Sequence, residues 1–126
     1  MGIKVDKILG LVREQDESFT YEGARNKNTT DSYVESNGVF MNVSPVIIPK
    51  DMYLHTIAAS TEGNETWTAE IHNNGVLISG ATLSMSAVDS NSRKDLKIKV
   101  LAGSKLMFYV NGTNIKRPRI LITLKK

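Results

Sequence analysis

His55 and His72 are the only side chains here whose ordinary pKa falls near neutrality, and they stand seventeen residues apart. His72 follows Glu70 by two positions, a spacing that puts both on one face of a strand. A metal site made of both histidines and Glu70 would need His55 to arrive from another strand. Two ligands at i, i+2 alone define too little of a coordination sphere. The other carboxylates are dispersed. Glu62 and Glu65 precede Trp67, and Asp89 and Asp95 flank a polar stretch. No spacing holds two of them at a fixed separation beside a nucleophile or base, as acid–base catalysis requires. Ser84, Ser86, Ser90 and Ser92 fall at solvent-facing positions, with no Gly-x-Ser-x-Gly elbow and no phosphate-cradling glycine loop. Cysteine is absent, which removes thiolate nucleophiles, disulfides and Cys-based metal sites. The sequence therefore predicts a protein that is not an enzyme, with no catalytic residue, no metal and no cofactor. An exposed Trp67 would stack on a sugar ring, making it the candidate glycan contact. Its alternation with Ala69 and Ile71 points to the core instead.

Most of the elements that position these residues read as strands. The chain has 126 residues, 40% of them hydrophobic, enough for one domain with a core of its own. From Val39 to the end, apolar residues alternate with polar ones and Gly/Asn turns punctuate them. Trp67, Ala69 and Ile71 face one way and Thr66, Thr68, Glu70 and His72 the other. Asn74-Gly75 is a hairpin turn, since both residues tolerate positive φ. In Met52–Ser60, strict alternation sets Tyr53, His55, Ile57 and Ala59 against Met52, Leu54 and Thr56. Asp89–Lys94 reads as a polar loop. About eight short strands in this region, without helical periodicity, predict an all-β fold, a β-sandwich of jelly-roll type. The expected core is Leu54, Ile57, Trp67, Ala69, Ile71, Val76, Ile78, Leu83, Ile98, Val100, Leu106, Phe108, Val110, Ile120 and Ile122. The opposite strand face also holds apolar side chains, Met107, Tyr109, Leu121 and Leu124 among them. They predict a second buried surface and hence an oligomer.

Two segments before Val39 differ from the rest. Residues 1–14 hold Ile3, Val5, Ile8, Leu9, Leu11 and Val12 among charges, ending in Arg13-Glu14. Two helical turns after Asp6 fit this pattern, although Gly10 weakens them and a helix so short is marginal in water. Such a segment is expected to dock on something, either extended or helical. Residues 15–38 are the most polar part and read as a linker, with Tyr21 and Tyr33 as its large side chains.

The net charge of +3 conceals an uneven distribution. Residues 1–40 carry five Lys/Arg and seven Asp/Glu, whereas ten basic residues and one acid, Asp95, lie from Arg93 onward. In Lys97-Ile98-Lys99-Val100 the charges alternate with apolar residues, so the lysines are a solvated strand face. No aromatic residues interleave with them as stacking platforms, and nucleic acid is not expected as a partner. No apolar run reaches the ~20 residues of a membrane-spanning helix. Lys4, Asp6 and Lys7 interrupt what a secretory signal would keep apolar. The sequons at Asn28, Asn42, Asn64 and Asn111 are therefore taken as chance matches.

Some of these segments resemble bacteriophage virion proteins. Lys4-Val-Asp-Lys-Ile-Leu-Gly-Leu-Val-Arg-Glu14 is similar to the short N-terminal peptide that begins many phage head-fibre and appendage proteins. The stretch from Tyr53 to Lys126 resembles the small trimeric domains, like the tumour-necrosis-factor and C1q jelly rolls, that end them. Glu65-Thr-Trp-Thr-Ala-Glu-Ile71, Leu101-Ala-Gly-Ser-Lys-Leu106, Val110-Asn-Gly-Thr-Asn-Ile115 and Arg117-Pro-Arg-Ile120 carry that resemblance. It implies a capsid decoration or head-fibre protein located on the virion and made in the host bacterial cytoplasm. The partner would be the phage major capsid protein or another virion protein. Ile3, Val5, Ile8, Leu9, Leu11, Val12 and Arg13 would form the capsid anchor, residues 15–38 the linker and 39–126 a homotrimeric β-domain. Tyr53, Met107, Tyr109, Leu121 and Leu124 are the trimer-interface candidates. The alternatives are a tail or baseplate component, or a receptor module that binds host cell-surface glycan through Trp67. Collagen-like and coiled-coil repeats are lacking, which favours a compact protein over a long fibre.

Overall fold

The computed structural model describes residues 18–126, and the anchor candidates Ile3 to Arg13 lie outside them. The described chain forms twelve strands and no helix. In order they are Ser18–Ala24 (β1), Ser32–Tyr33 (β2), Glu35–Ser36 (β3), Val39–Phe40 (β4), Val46–Ile47 (β5) and Met52–Ser60 (β6), followed by Trp67–Asn73 (β7), Val76–Met85 (β8), Ser90–Arg93 (β9), Ile98–Val100 (β10), Lys105–Asn111 (β11) and Arg119–Lys125 (β12). All pair antiparallel, in two sheets. The larger runs β10-β6-β12-β1-β3-β4, with β9 also on β6; the smaller runs β2-β11-β7-β8, with β5 also on β11. The excess over the eight expected is β1, β2 and β3, inside the supposed linker, and β9, inside the expected polar loop. In β2 and β3 a two-residue run has no periodicity to read.

From Ser18 onward the structure corrects the polar linker expected over 15–38. Ser18–Ala24 is hydrogen-bonded along β12 from Ser18↔Lys125 to Ala24↔Arg119, inside the larger sheet. Phe19, Tyr21 and Gly23 share its inner face, opposite Leu124, Ile122 and Ile120. Arg25 completes the join: its guanidinium is buried, pairs with Glu35 at 2.9 Å and lies 4.4 Å over the Phe40 ring. Asn37-Gly38 turns β3 into β4 with positive φ at both residues, as Asn74-Gly75 turns β7 into β8. The presumed polar loop at 89–94 is likewise structured. As β9, it reaches across to β8, where Arg93 donates to the carbonyls of Gly80 and Thr82 at 3.1 Å. That contact ties the two sheets along one side.

A β-bulge corrects the strict alternation of β6. Thr123 pairs with Thr56 but Leu124 pairs with Leu54, so His55 is the extra residue. The bulge turns Met52 and Leu54 to the same side as Ile57 and Ala59, and all four are buried. The core is centred on Phe108, Leu54, Ile57, Ile71, Ile120 and Ile122, each contributing roughly 1.5–3 kcal/mol by burial. Of the expected core, Val76 is 70% exposed because it stands beside the hairpin tip, and Ile78 and Ile98 are half-buried. Val34, Met41, Ile48 and Ile115 join the core from connecting segments with no strand pattern.

Candidate functional site

A cluster of mutually bonded titratable side chains sits on the outer face of the smaller sheet. Trp67, Ala69 and Ile71 point into the core, which leaves Thr68, Glu70 and His72 of β7 on the outside. In β11, Leu106, Phe108 and Val110 point inward, leaving Met107 and Tyr109 outside. Pairing sets Tyr109 between Glu70 on β7 and Tyr33 on β2. Sheet geometry alone therefore brings two tyrosines, a histidine and a glutamate together.

Tyr33, His72 and Glu70 form a continuous hydrogen-bonded chain, and Tyr109 packs its ring against it. His72 Nε2 lies 2.8 Å from Glu70 Oε1, and its Nδ1 lies 2.9 Å from the Tyr33 hydroxyl. A carboxylate only accepts, so with a single ring proton Nε2 donates to Glu70 and Nδ1 accepts from Tyr33. The second oxygen of Glu70 accepts from the Asn111 amide at 2.8 Å. Tyr109 stacks on His72 with centroids 5.1 Å apart and meets Tyr33 edge-on at 5.0 Å. Burial pushes the Tyr33 hydroxyl pKa above 10.0, with the Glu70 charge adding to it. The Tyr109 pKa is raised by burial first, then by Asp31, Glu70 and Tyr33. Both ring nitrogens and both carboxylate oxygens are thus engaged within the protein. The network holds three strands in register and presents a stiff aromatic platform. It offers no free base beside a nucleophile.

His55 does not approach this cluster. It belongs to the larger sheet, where Nδ1 meets the Thr56 hydroxyl at 2.6 Å and Nε2 meets Asp95 at 3.3 Å. Among the described residues, no three His, Asp or Glu side chains converge as metal ligands would.

Trp67 is 3% exposed, which overturns it as a glycan contact. The interface candidates do not share a surface either. Leu124 has the same parity as Ile120 and Ile122 and is fully buried. Met107 is on the outer face but only 7% exposed, covered by its own chain. Tyr53 and Leu121 lie on the outside of the larger sheet, Tyr109 on the outside of the smaller one. β11 and β12 belong to opposite layers, so their outward residues point apart. The Tyr–His–Glu network was missed, although Glu70 and His72 were read as sharing a face. Tyr33 lay in the supposed linker, and nothing in the sequence paired it with Tyr109.

The fold and site define an antiparallel β-sandwich with one interlocked outer face. No protein-family model and no curated protein matches the chain. Among solved structures it is similar to the catalytic unit of a thermostable GH87 alpha-1,3-glucanase from Streptomyces thermodiastaticus strain HF3-3, at 13% identity and a TM-score of 0.45. That match covers 86% of this chain and 26% of the other, so this chain spans about a quarter of the glucanase unit. It is also similar to Tobacco streak virus coat protein, at 11% identity over 88% of each chain, with a TM-score of 0.42. A dimer structure of that coat protein matches at 10% identity over 88% of this chain and 87% of the other, with the same TM-score. These are likenesses of chain path and carry no activity with them.

Proposed function

We propose that this chain is a non-enzymatic structural protein of a virus particle, a phage capsid decoration or head-fibre protein. It grips the capsid by residues 3–13 and displays its β-sandwich as a homotrimer. The observation that carries the reading is how the N-terminal segment joins the domain. β1 begins at Ser18 and runs in register with β12 for seven residues. A pull along β1 would be taken in shear, by a ladder of hydrogen bonds that must fail together. An anchor needs that kind of attachment. The sequence resemblance to phage head-fibre proteins supplies the setting, and the closed Tyr–His–Glu network fits a role without catalysis. Three arms on one trimer would multiply weak contacts through effective concentration.

Full-length protein carrying Ile8→Asp and Leu11→Asp tests the anchor by co-sedimentation with phage particles. Binding should fall at least tenfold, and undiminished binding overturns the anchor. Light scattering should give a mass near three times 13.9 kDa, and a monomer at micromolar concentration overturns the trimer. Labelling on intact particles separates the head from a tail or baseplate position.

A further inference from the structure

The outer face of the larger sheet carries a groove of about 510 Å³ lined by Tyr53, His55, Asp95, Leu96, Lys97, Lys125 and Lys126. Register explains its charge. Lys99 pairs with Tyr53, Tyr53 with Lys125, and Lys125 with Ser18, so these four side chains form one row across β10, β6, β12 and β1. Lys97 stands just before β10. Asp95 is the one acid of the lining, and it leans on His55 at the groove's rim with 92% of its side chain exposed. Lys97, Lys99 and Lys125 thus meet around a tyrosine that is 43% exposed. Ser18, at the end of the row, is preceded in the chain by Glu14-Gln15-Asp16-Glu17, with three acids in four residues.

We infer that this acidic stretch seats across the lysine row of its own chain, over Tyr53, and so fixes the direction in which residues 1–13 leave the domain. Charge matches: three carboxylates face three ammonium groups. Reach matches too. At ~3.4 Å per residue, four residues take Glu14 about 14 Å from Ser18. That is the width of the three strand spacings of ~4.8 Å between β1 and β10. The tether keeps the local concentration of the acids high, so individually weak exposed pairs suffice. The inference concerns residues 14–17 alone and does not depend on what residues 3–13 bind.

Zero-length carbodiimide crosslinking of the full-length protein tests it, using an equal mixture of ¹⁴N- and ¹⁵N-labelled chains read by mass spectrometry. A link from Glu17 to Lys125 follows from Ser18 pairing alone and is disregarded. The expected result is links from Glu14 or Asp16 to Lys97 or Lys99, within one isotope. Their yield should drop several-fold between 0.05 and 1 M salt, where the screening length shrinks to ~3 Å. Lys97→Glu with Lys99→Glu should abolish them, and Glu14→Lys with Asp16→Lys in that same chain should restore them. Absence of these links in the unaltered protein overturns the inference. Links only between isotopes also overturn it, by assigning the groove to the arm of a second copy.

Discussion

The two outer faces of the sandwich are built on different plans. The smaller sheet turns out Tyr33, Glu70, His72, Met107 and Tyr109, large side chains that bond and stack on one another until His72 and Met107 are nearly buried. On its outside the larger sheet shows Thr20, Thr56, Ala58, Leu121 and Thr123 at its centre, with an exposed Glu22–Arg119 pair at one end and Tyr53 among lysines at the other. One face satisfies itself and the other stays open. Stability is therefore expected to depend on the first and to be indifferent to the second, whereas docking should use the second.

The largest effect that can break this contrast is His72→Ala. It strands the Tyr33 hydroxyl and a Glu70 oxygen on a covered surface and should lower unfolding free energy by about 3 kcal/mol in urea titration. A loss under about 1 kcal/mol would make the two faces equivalent. Tyr33→Phe removes one hydrogen bond and keeps the ring contacts, so about 1 kcal/mol is expected by the same measurement.

Alkaline pH sharpens the comparison without a mutation. Tyr33 and Tyr109 hold their protons more tightly folded than unfolded, since both pKa values are raised above 10.0. Their contribution is whole below pH 10 and is lost as pH rises through the folded values. Denaturant midpoints should thus fall above pH 10, and less steeply in the Tyr33→Phe, Tyr109→Phe chain; equal slopes would count against a buried network. The smallest effects belong to the open face. Thr20→Ala and Thr123→Ala should each stay within about 0.5 kcal/mol of the unaltered protein.

Alternation is legible where one strand face is buried and the strand is long enough to show it. Trp67, Ala69 and Ile71 were placed inward, and Lys97 and Lys99 outward, from alternation alone. It failed where a single backbone event outweighs the pattern. The bulge at His55 reunites Leu54 with Ile57, and no residue type near it announces an extra residue. β1 was overlooked although Phe19, Tyr21 and Gly23 alternate, because glycine hides the third inward position and polar neighbours dominate the window. The Asn37-Gly38 pair was the signal that the supposed linker contains a hairpin. Site residues were less legible than the fold. Glu70 and His72 share a face by parity, but Tyr33 and Tyr109 meet only through long-range pairing.

The burial of Trp67 has an optical consequence. It is the chain's single tryptophan, deep between the sheets, and among the described residues its indole N–H has no hydrogen-bond partner. Its fluorescence should therefore be blue in the folded state and move to longer wavelength only when the sheets separate. Binding events on either outer face leave that emission where it is. One cuvette can then tell a variant that has lost its partner from one that has lost its fold.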